Sequence, residues 1–352
     1  MRSTSDPDDI QRTLREWLRP RLEIDGPTPT DLSLFNVTTP DHGGMSNETI
    51  LFDAAWRENG EQRGLALVAK LEPSGPALFP TYDPGREAAI LRALAEYSDV
   101  PVPEVVGTGP DPGTPGRPFF VMKKLAGSIP ADDPPYFLAG WLHDATAEEQ
   151  RSALDGAVDT MARIHALDPQ MIVPGPECDS ADLPGAAGLD QDLAYWRRYL
   201  DWLADGSPAP LLEAALAWCE DQRPQDPSPD TLCWGDARMG NLVFGPDYRV
   251  TGVLDWEMAG PGAPETDLGW FLFAHDTALM WMEDLPGFRD RDGMLARYTN
   301  AAGREPRDLR WYEVWAGVRA TAIHLRSLRL RGAEPDGETP LMASLRRLVD
   351  LP

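Results

Sequence analysis

Three oxygen-bearing side chains in Cys233-Trp-Gly-Asp236-Ala-Arg238-Met-Gly-Asn241 and Val250-Thr-Gly-Val-Leu-Asp255-Trp-Glu257 are the residues of this chain best suited to chemistry. An aspartate, an asparagine five residues on, and a second aspartate closing a short apolar run can converge on one point. Hard Mg2+ takes carboxylate and amide oxygens and keeps substrate phosphates among its other ligands, which suits Asn241 and Asp255 to metal binding. Asp236 is then free to orient a hydroxyl or to take its proton. Singly, each feature is common, because Asp and Asn cap turns and helix ends in many loops. It is their order along the chain that points to a site.

Of 32 basic residues, only Lys70, Lys123 and Lys124 are lysine. A chain that uses arginine almost everywhere keeps lysine where a compact ammonium is needed and a planar fork would not fit. Lys70 ends the apolar run Leu65-Ala-Leu-Val-Ala, and Glu87 follows in the first turn of a helix-like segment. Alone, they read as a snorkelling strand-end lysine and a first-turn acid favoured by the helix dipole. Together they are placed to form an ion pair. Arg238, taken by itself, reads as a surface arginine paired with one of many local acids.

Positioning these groups requires strands and helices in a definite order. A helix is expected from Asp9 to about Leu22. Leu51–Trp56 and Leu65–Lys70 read as strands that the polar turn Arg57–Arg63 joins into an antiparallel hairpin. Asp83 and Pro84 supply helix-start chemistry, with Ala88, Leu91 and Ala95 at helical spacing behind them. Pro118-Phe-Phe-Val-Met122 is a third strand-like run. Beyond it helical patterns dominate, near 147–167, 190–204, 209–222, 266–283, 290–302 and 308–331. Short β runs at Thr231–Trp234, Asn241–Phe244 and Val250–Leu254 interrupt them. Residues 170–192, rich in Pro, Gly and Asp, read as an irregular connection or lid. The expected division is a β-rich lobe over 1–125 and a helical lobe over 126–352.

This ordered set resembles the aminoglycoside phosphotransferase family, within the wider protein-kinase-like fold. The family pattern of His-Gly-Asp, four residues, Asn, and then an aspartate-bearing metal motif stands here as Trp234-Gly235-Asp236, Asn241 and Leu254-Asp255-Trp256. Gly43-Gly-Met-Ser46-Asn47-Glu resembles the nucleotide loop, without a Gly-x-Gly-x-x-Gly signature, and Met122-Lys123-Lys-Leu125 resembles the hinge against which adenine lies. The resemblance implies an α/β (α+β), two-lobed kinase-like fold that uses ATP and Mg2+. It places Ser46, Asn47, Lys70, Glu87, Lys123 and Leu125 about the nucleotide, Asn241 and Asp255 on the metal, and Asp236 and Arg238 at the transferred group. His165 and Asp267 resemble a buried helix-end strut and a buttress behind the metal loop. Trp234 stands where the family carries a supporting histidine, a departure that bears on loop rigidity more than on phosphoryl transfer. The wording of these loops looks most like an actinobacterial branch of the family, and it also resembles the kinase-like domain fused to acyl-CoA dehydrogenases in animals.

A formal net charge of −25, concentrated beyond residue 126, repels phosphate backbones and argues against nucleic-acid partners. A solvated acidic surface accounts for it equally well. No apolar run approaches the roughly 18 residues of a membrane helix, and MRSTSDPDDI lacks a secretory apolar region, so a cytoplasmic enzyme without membrane partners is expected. Cys178, Cys219 and Cys233 have no paired or zinc-like spacing. The helix from Leu309 carries an apolar stripe that includes Trp311, Trp315 and Val318. Arg319 and Arg326, off that stripe, are candidate contacts for an anionic substrate tail. The function expected is O-phosphotransfer from ATP to a hydroxyl of a small, aminoglycoside-like molecule. A hydroxyacyl-CoA kinase and a non-catalytic nucleotide-binding protein are the rivals, and the oligomeric state stays open.

Overall fold

Two consecutive left-handed residues, Asn59 (φ 51°) and Gly60 (φ 83°), close the hairpin on which the N-terminal sheet is built. Asn-Gly tolerates that geometry, and a two-residue turn of this hand matches the strand twist, so the connection is tighter than the polar stretch Arg57–Arg63 expected from sequence. In the computed structural model the described residues are 7–22, 30–39, 46–110, 116–173, 183–184, 188–204, 209–333 and 337–350. The first elements are α1 (Pro7–Leu18), a 3-10 turn, β1 (Thr30–Thr38), β2 (Glu48–Glu58), β3 (Glu61–Leu71), α2 (Pro84–Tyr97), β4 (Val105–Gly109) and β5 (Phe119–Lys123). The five strands form one antiparallel sheet in the order β1-β2-β3-β5-β4.

β1 and β4 escaped the pattern reading for physical reasons. β1 carries Asp31 and Asn36 at positive φ, and its register against β2 shifts near both, which breaks the strand alternation. β4 contains Gly107 and Gly109; a Cβ on Gly109 would strike the Phe119 ring, so close packing there excludes a good strand former. Leu67, Ala69 and Leu71 of β3 join Trp17 and Leu18 of α1 and Val121 of β5 in one apolar core. Side chains alternate along a strand, so Lys70 shares the opposite face with Val68.

The remaining elements are α3 (Ala147–Ile164), α4 (Pro169–Ile172), α5 (Gly188–Ala204), α6 (Pro210–Asp221), β6 (Thr231–Cys233), β7 (Leu242–Phe244), β8 (Val250–Val253), β9 (Gly260–Gly262), α7 (Glu265–Leu279), α8 (Arg291–Ala302), α9 (Leu309–Leu330) and α10 (Pro340–Leu348). β6 pairs with β9 and β7 with β8, giving two small antiparallel sheets among helices. Thr146 caps α3 in a full capping box with Glu149. α9 is buried on most sides, with Trp311, Tyr312, Val314, Trp315 and Val318 all in the core. Gly269 of α7 approaches it so closely that a Cβ would sit 2.7 Å from the Tyr312 carbonyl carbon. α10 was not anticipated; most of the expected lid, 170–192, lies outside the described residues, and α4 and α5 occupy its two ends.

The chain clusters into two compact units, Met1–Arg92 with Pro103–Leu125, and Ala93–Val102 with Ala126–Pro352. Residues 93–102, expected in the first lobe, thus group with the second, where the Val253 N–H donates to the Pro101 carbonyl at 2.7 Å. The β-rich first part and helical second part give the mixed α/β fold expected. Among the described residues no helix is long and apolar enough to cross a membrane.

Candidate active site

Asp267, in the first turn of α7, is fully buried and holds the loop that follows β6. Its carboxylate accepts the backbone N–H of Trp234 at 2.6 Å and of Gly235 at 2.8 Å. Gly235 has φ +94°, and a Cβ there would collide with the Met258 backbone, so only glycine makes this bend. His165, at the end of α3, places Nε2 3.0 Å from Asp267 Oδ2 and Nδ1 2.6 Å from the Tyr298 hydroxyl. Burial raises the Tyr298 pKa, so the phenol stays a donor; it donates to Nδ1, and the Nε2–H faces the carboxylate. Ligand atoms of His165, Cys233 and Asp267 lie within 4.8 Å of one another, but these hydrogen bonds already occupy the histidine and the aspartate, making a strut and not a metal centre.

The loop so hung presents Asp236, whose side chain is 19% exposed. Oδ2 accepts from Asn241 Nδ2 at 2.7 Å and from Arg238 Nε at 3.1 Å; Oδ1 accepts from the Trp270 indole at 3.0 Å. Asn241 Nδ2 also reaches the Asp236 carbonyl at 3.0 Å. A carboxylate offers about four lone-pair directions, so one on Oδ1 stays open to an incoming hydroxyl. Arg238 further pairs with Asp132 at 2.5 Å. Burial opposes its charge, yet Asp236 and Asp132 more than offset this and raise its pKa. Trp270 was not among the residues singled out from sequence. Its signal was only its place one helical turn beyond Asp267, on the same face of α7.

Asn241 and Asp255 are brought together by backbone: the Leu254 N–H donates to the Asn241 carbonyl at 2.9 Å. Asp255 is half-buried and sits at φ +63°, a conformation costly for a non-glycine residue and concentrated at functional sites. Because the Asn241 amide nitrogen is spent on Asp236, its oxygen is the atom left to face a cation. An amide oxygen beside a carboxylate is a hard donor set that fits Mg2+. Trp234, 2% exposed, donates its indole N–H to the Leu254 carbonyl at 2.8 Å, tying the Asp236 loop to the residue before Asp255.

In the first unit, Lys70 Nζ lies 2.8 Å from Glu87 Oε1, with side chains only 8% and 3% exposed. Ser46 and Asn47 are buried in the bend just before β2, while Gly43 and Gly44 lie outside the described residues. Lys123 directs its ammonium to Glu104 at 2.5 Å and donates its backbone N–H to the Glu104 carbonyl; Leu125 is half-buried nearby in sequence. Arg319 and Arg326 do not form one anion-facing cluster. Arg326 lies over the Trp202 ring, 4.2 Å from its centroid, and Arg319 is buried beside Trp270 and Trp315. Arg329, also on α9, donates to the Leu203 carbonyl.

The sequence profile of the phosphotransferase enzyme family matches residues 38–315. Acyl-CoA dehydrogenase family member 10 of Mus musculus is 30% identical over 285 residues, which make up 80% of this chain and 24% of that protein. The chain spans about a quarter of the length of the curated relatives it matches. A candidate aminoglycoside phosphotransferase from Ralstonia eutropha superposes with a TM-score of 0.64 at 21% identity, over 96% of this chain and 94% of its own. A thermostable variant of aminoglycoside phosphotransferase APH(4)-Ia, in ternary complex with ADP and hygromycin B, does so at 0.57 and 14% identity, over 96% and 98%. At these identities the structural likeness shows a shared fold.

Proposed function

Because the chain belongs to the phosphotransferase enzyme family, we propose that it transfers the γ-phosphoryl group of ATP to a hydroxyl of a small molecule, with Asp236 as the acceptor's base. The observation that carries this reading is the Asp236 carboxylate, pinned at both oxygens by Asn241, Arg238 and Trp270 and left with one open lone pair on Oδ1.

The acceptor O–H would point at that oxygen. As the O–H bond breaks, its proton passes to Asp236, the new O–P bond forms, and the bond from the γ-phosphorus to the β–γ bridging oxygen breaks, releasing ADP. Phosphoryl transfer of this kind is mostly positioning and electrostatics, which is what the buried supports of the loop supply. Asn241 and Asp255 would hold Mg2+, which when bound neutralises phosphate charge. Lys70, braced by Glu87, would hold the α- and β-phosphates, and Arg238 would share the charge of the moving group. Ser46 and Asn47 would cover the nucleotide, and the backbone from Lys123 to Leu125 would lie along its base. A hydroxylated molecule such as an aminoglycoside is the acceptor class brought forward by the fold neighbour bound to hygromycin B. The partial likeness to acyl-CoA dehydrogenase family member 10 brings forward hydroxyacyl-CoA as the second.

An ATP-consumption screen over aminoglycosides, amino alcohols, sugars and hydroxyacyl-CoA compounds, with and without Mg2+, tests the reading. Acceptor-dependent ADP release that Asp236→Asn abolishes supports it. Nucleotide binding with no turnover on any acceptor would favour the non-catalytic alternative.

A further inference from the structure

Arg319 of α9 is 2% exposed, yet among the described residues it has no carboxylate within ion-pair distance. Its hydrogen bonding amounts to one long contact, from Nη2 to the Thr266 carbonyl at 3.4 Å, and Nε has no partner. A buried guanidinium carries five N–H donors and a full charge, and leaving them unmatched is costly. The nearby acids do not settle the account: burial lowers the Arg319 pKa in spite of Asp192, Asp267 and Asp236. Two of these are already committed, Asp267 to backbone N–H groups and Asp236 to the catalytic loop. What holds the guanidinium in place is aromatic, with Cζ 4.9 Å from the Trp270 ring centroid and 5.8 Å from that of Trp315.

Arg319 also lines a cavity of about 280 Å3 in the second unit, bounded by Gly235, Thr266, Asp192 and Tyr312 and by three more charged residues, Asp230, Asp190 and Arg223, the last two joined as an ion pair. The Tyr312 hydroxyl is buried without a partner, and burial keeps it protonated as a donor. Asp192 Oδ2 accepts the Trp315 indole N–H, and its Oδ1 is buried without a partner. Gly235 is the neighbour of Asp236, and Trp270, against which Arg319 lies, is the indole that fixes Asp236 Oδ1. A ligand in this cavity would therefore meet the side chains of Arg319, Tyr312, Asp192 and Asp230 beside the loop that carries the proposed base.

Resting on the reading of Asp236 as the acceptor's base, we infer that this cavity is the acceptor subsite and that Arg319, with Tyr312, binds an anionic carboxylate or phosphate group of a small hydroxylated acceptor. Asp192 Oδ1 takes a hydroxyl donor of the same molecule. The volume, at the small end for ligand pockets, suits a compact polyol acid. A guanidinium that served only to pack against two indoles would give no such charge preference.

Calorimetric titration of the whole chain with its nucleotide site filled by Mg-ADP tests this on a matched three-carbon set: D-glycerate, glycerol 3-phosphate, neutral glycerol and cationic 3-amino-1,2-propanediol. One or both anions should bind at least tenfold tighter than the neutral and cationic members; glycerate leading identifies a carboxylate, glycerol 3-phosphate a phosphate. Arg319→Met should erase that preference, and Arg319→Lys should retain part of it. Should Arg319→Met fail to fold, Tyr312→Phe, which removes one donor and keeps the ring, should reduce the preference several-fold. Equal binding across the set, tighter binding of the amine, or an anion preference left undiminished in Arg319→Met or Tyr312→Phe would overturn the proposal. The readout is binding, so an active Asp236→Asn enzyme would refute the base and leave this result to stand separately.

Discussion

The indole N–H of Trp234 donates to the Leu254 carbonyl at 2.8 Å, so the residue two places before Asp236 is bonded to the residue one place before Asp255. Sequence placed an unexpected tryptophan where a supporting histidine was due and put loop rigidity in question. The structure answers it physically: the indole reaches the strand end just before Asp255, and its buried body packs near Trp256, with ring centroids 6.1 Å apart.

Trp234→Phe keeps the aromatic bulk but leaves the Leu254 carbonyl without its indole donor. An unmatched buried acceptor costs about 1–3 kcal/mol. Part of that loss should appear locally, as about tenfold weaker nucleotide binding in Mg2+ and lower turnover, because Asp255 is no longer anchored. Titration of Mg-ADP and thermal melting check both. A variant with full stability but normal nucleotide affinity would mean that the tie does not position Asp255.

Asp236→Asn should leave ATP binding nearly intact and reduce turnover by on the order of a hundredfold or more, since hydroxyl orientation and proton removal are lost together. Asp255→Ala should behave differently. It removes a carboxylate ligand that solvent cannot replace in position, so the Mg2+-dependent part of nucleotide affinity should disappear while metal-free affinity persists. Nucleotide titrations with and without Mg2+ separate the two variants, and unaltered affinity of Asp255→Ala in Mg2+ would move the metal site elsewhere.

Lys70 and Glu87 form a pair buried on both sides, so the substitutions split shape from charge. Lys70→Arg retains the charge but forces a planar fork into a space filled by a compact ammonium, and activity should fall sharply with little loss of stability. Glu87→Gln leaves the ammonium uncompensated. Breaking one side of a buried pair costs about 3–5 kcal/mol, and a lower melting temperature should accompany the loss of activity. A fully active Lys70→Arg protein would make this lysine a packing residue.

The strength of a pattern decided what could be read from the chain alone. Asp236, Asn241 and Asp255 were legible because their order is fixed by local loops, and α3, α6, α8 and α9 because their apolar residues keep one helical period. β1 and β4 were not, since positive φ residues in one and glycines in the other interrupt the alternation that marks a strand. Trp270 and Arg319 show the other limit. Trp270 sits in a helix whose burial alone explains it, while Arg319 stood out only as a cation off the apolar stripe, and only tertiary packing brings the Trp270 indole to Asp236 and Arg319 over its ring. A contact made by tertiary packing leaves no spacing to find.

Asp267 makes the sharpest test of how the loop is held, because its role depends on having two acceptor oxygens. Both backbone donors, Trp234 N–H and Gly235 N–H, converge on it, and His165 adds a third contact. Asn is nearly the same size but offers one carbonyl oxygen and one NH2 group. In Asp267→Asn one of these donors must therefore face an N–H in a fully buried site, where an unsatisfied pair costs several kcal/mol and no water can intervene. The loop should shift or loosen at Gly235, carrying Asp236 away from the Trp270 indole. The expected result is a marked drop in melting temperature together with a turnover loss comparable to that of Asp236→Asn. The Lys70–Glu87 pair does not involve Asp267 and should remain. His165→Gln is the milder companion: it removes one support but leaves both backbone donors on the carboxylate, so turnover should fall by much less. Turnover and melting temperature measured on the two variants check this. Equal effects, or an active Asp267→Asn protein, would show that the loop is held by something other than this carboxylate.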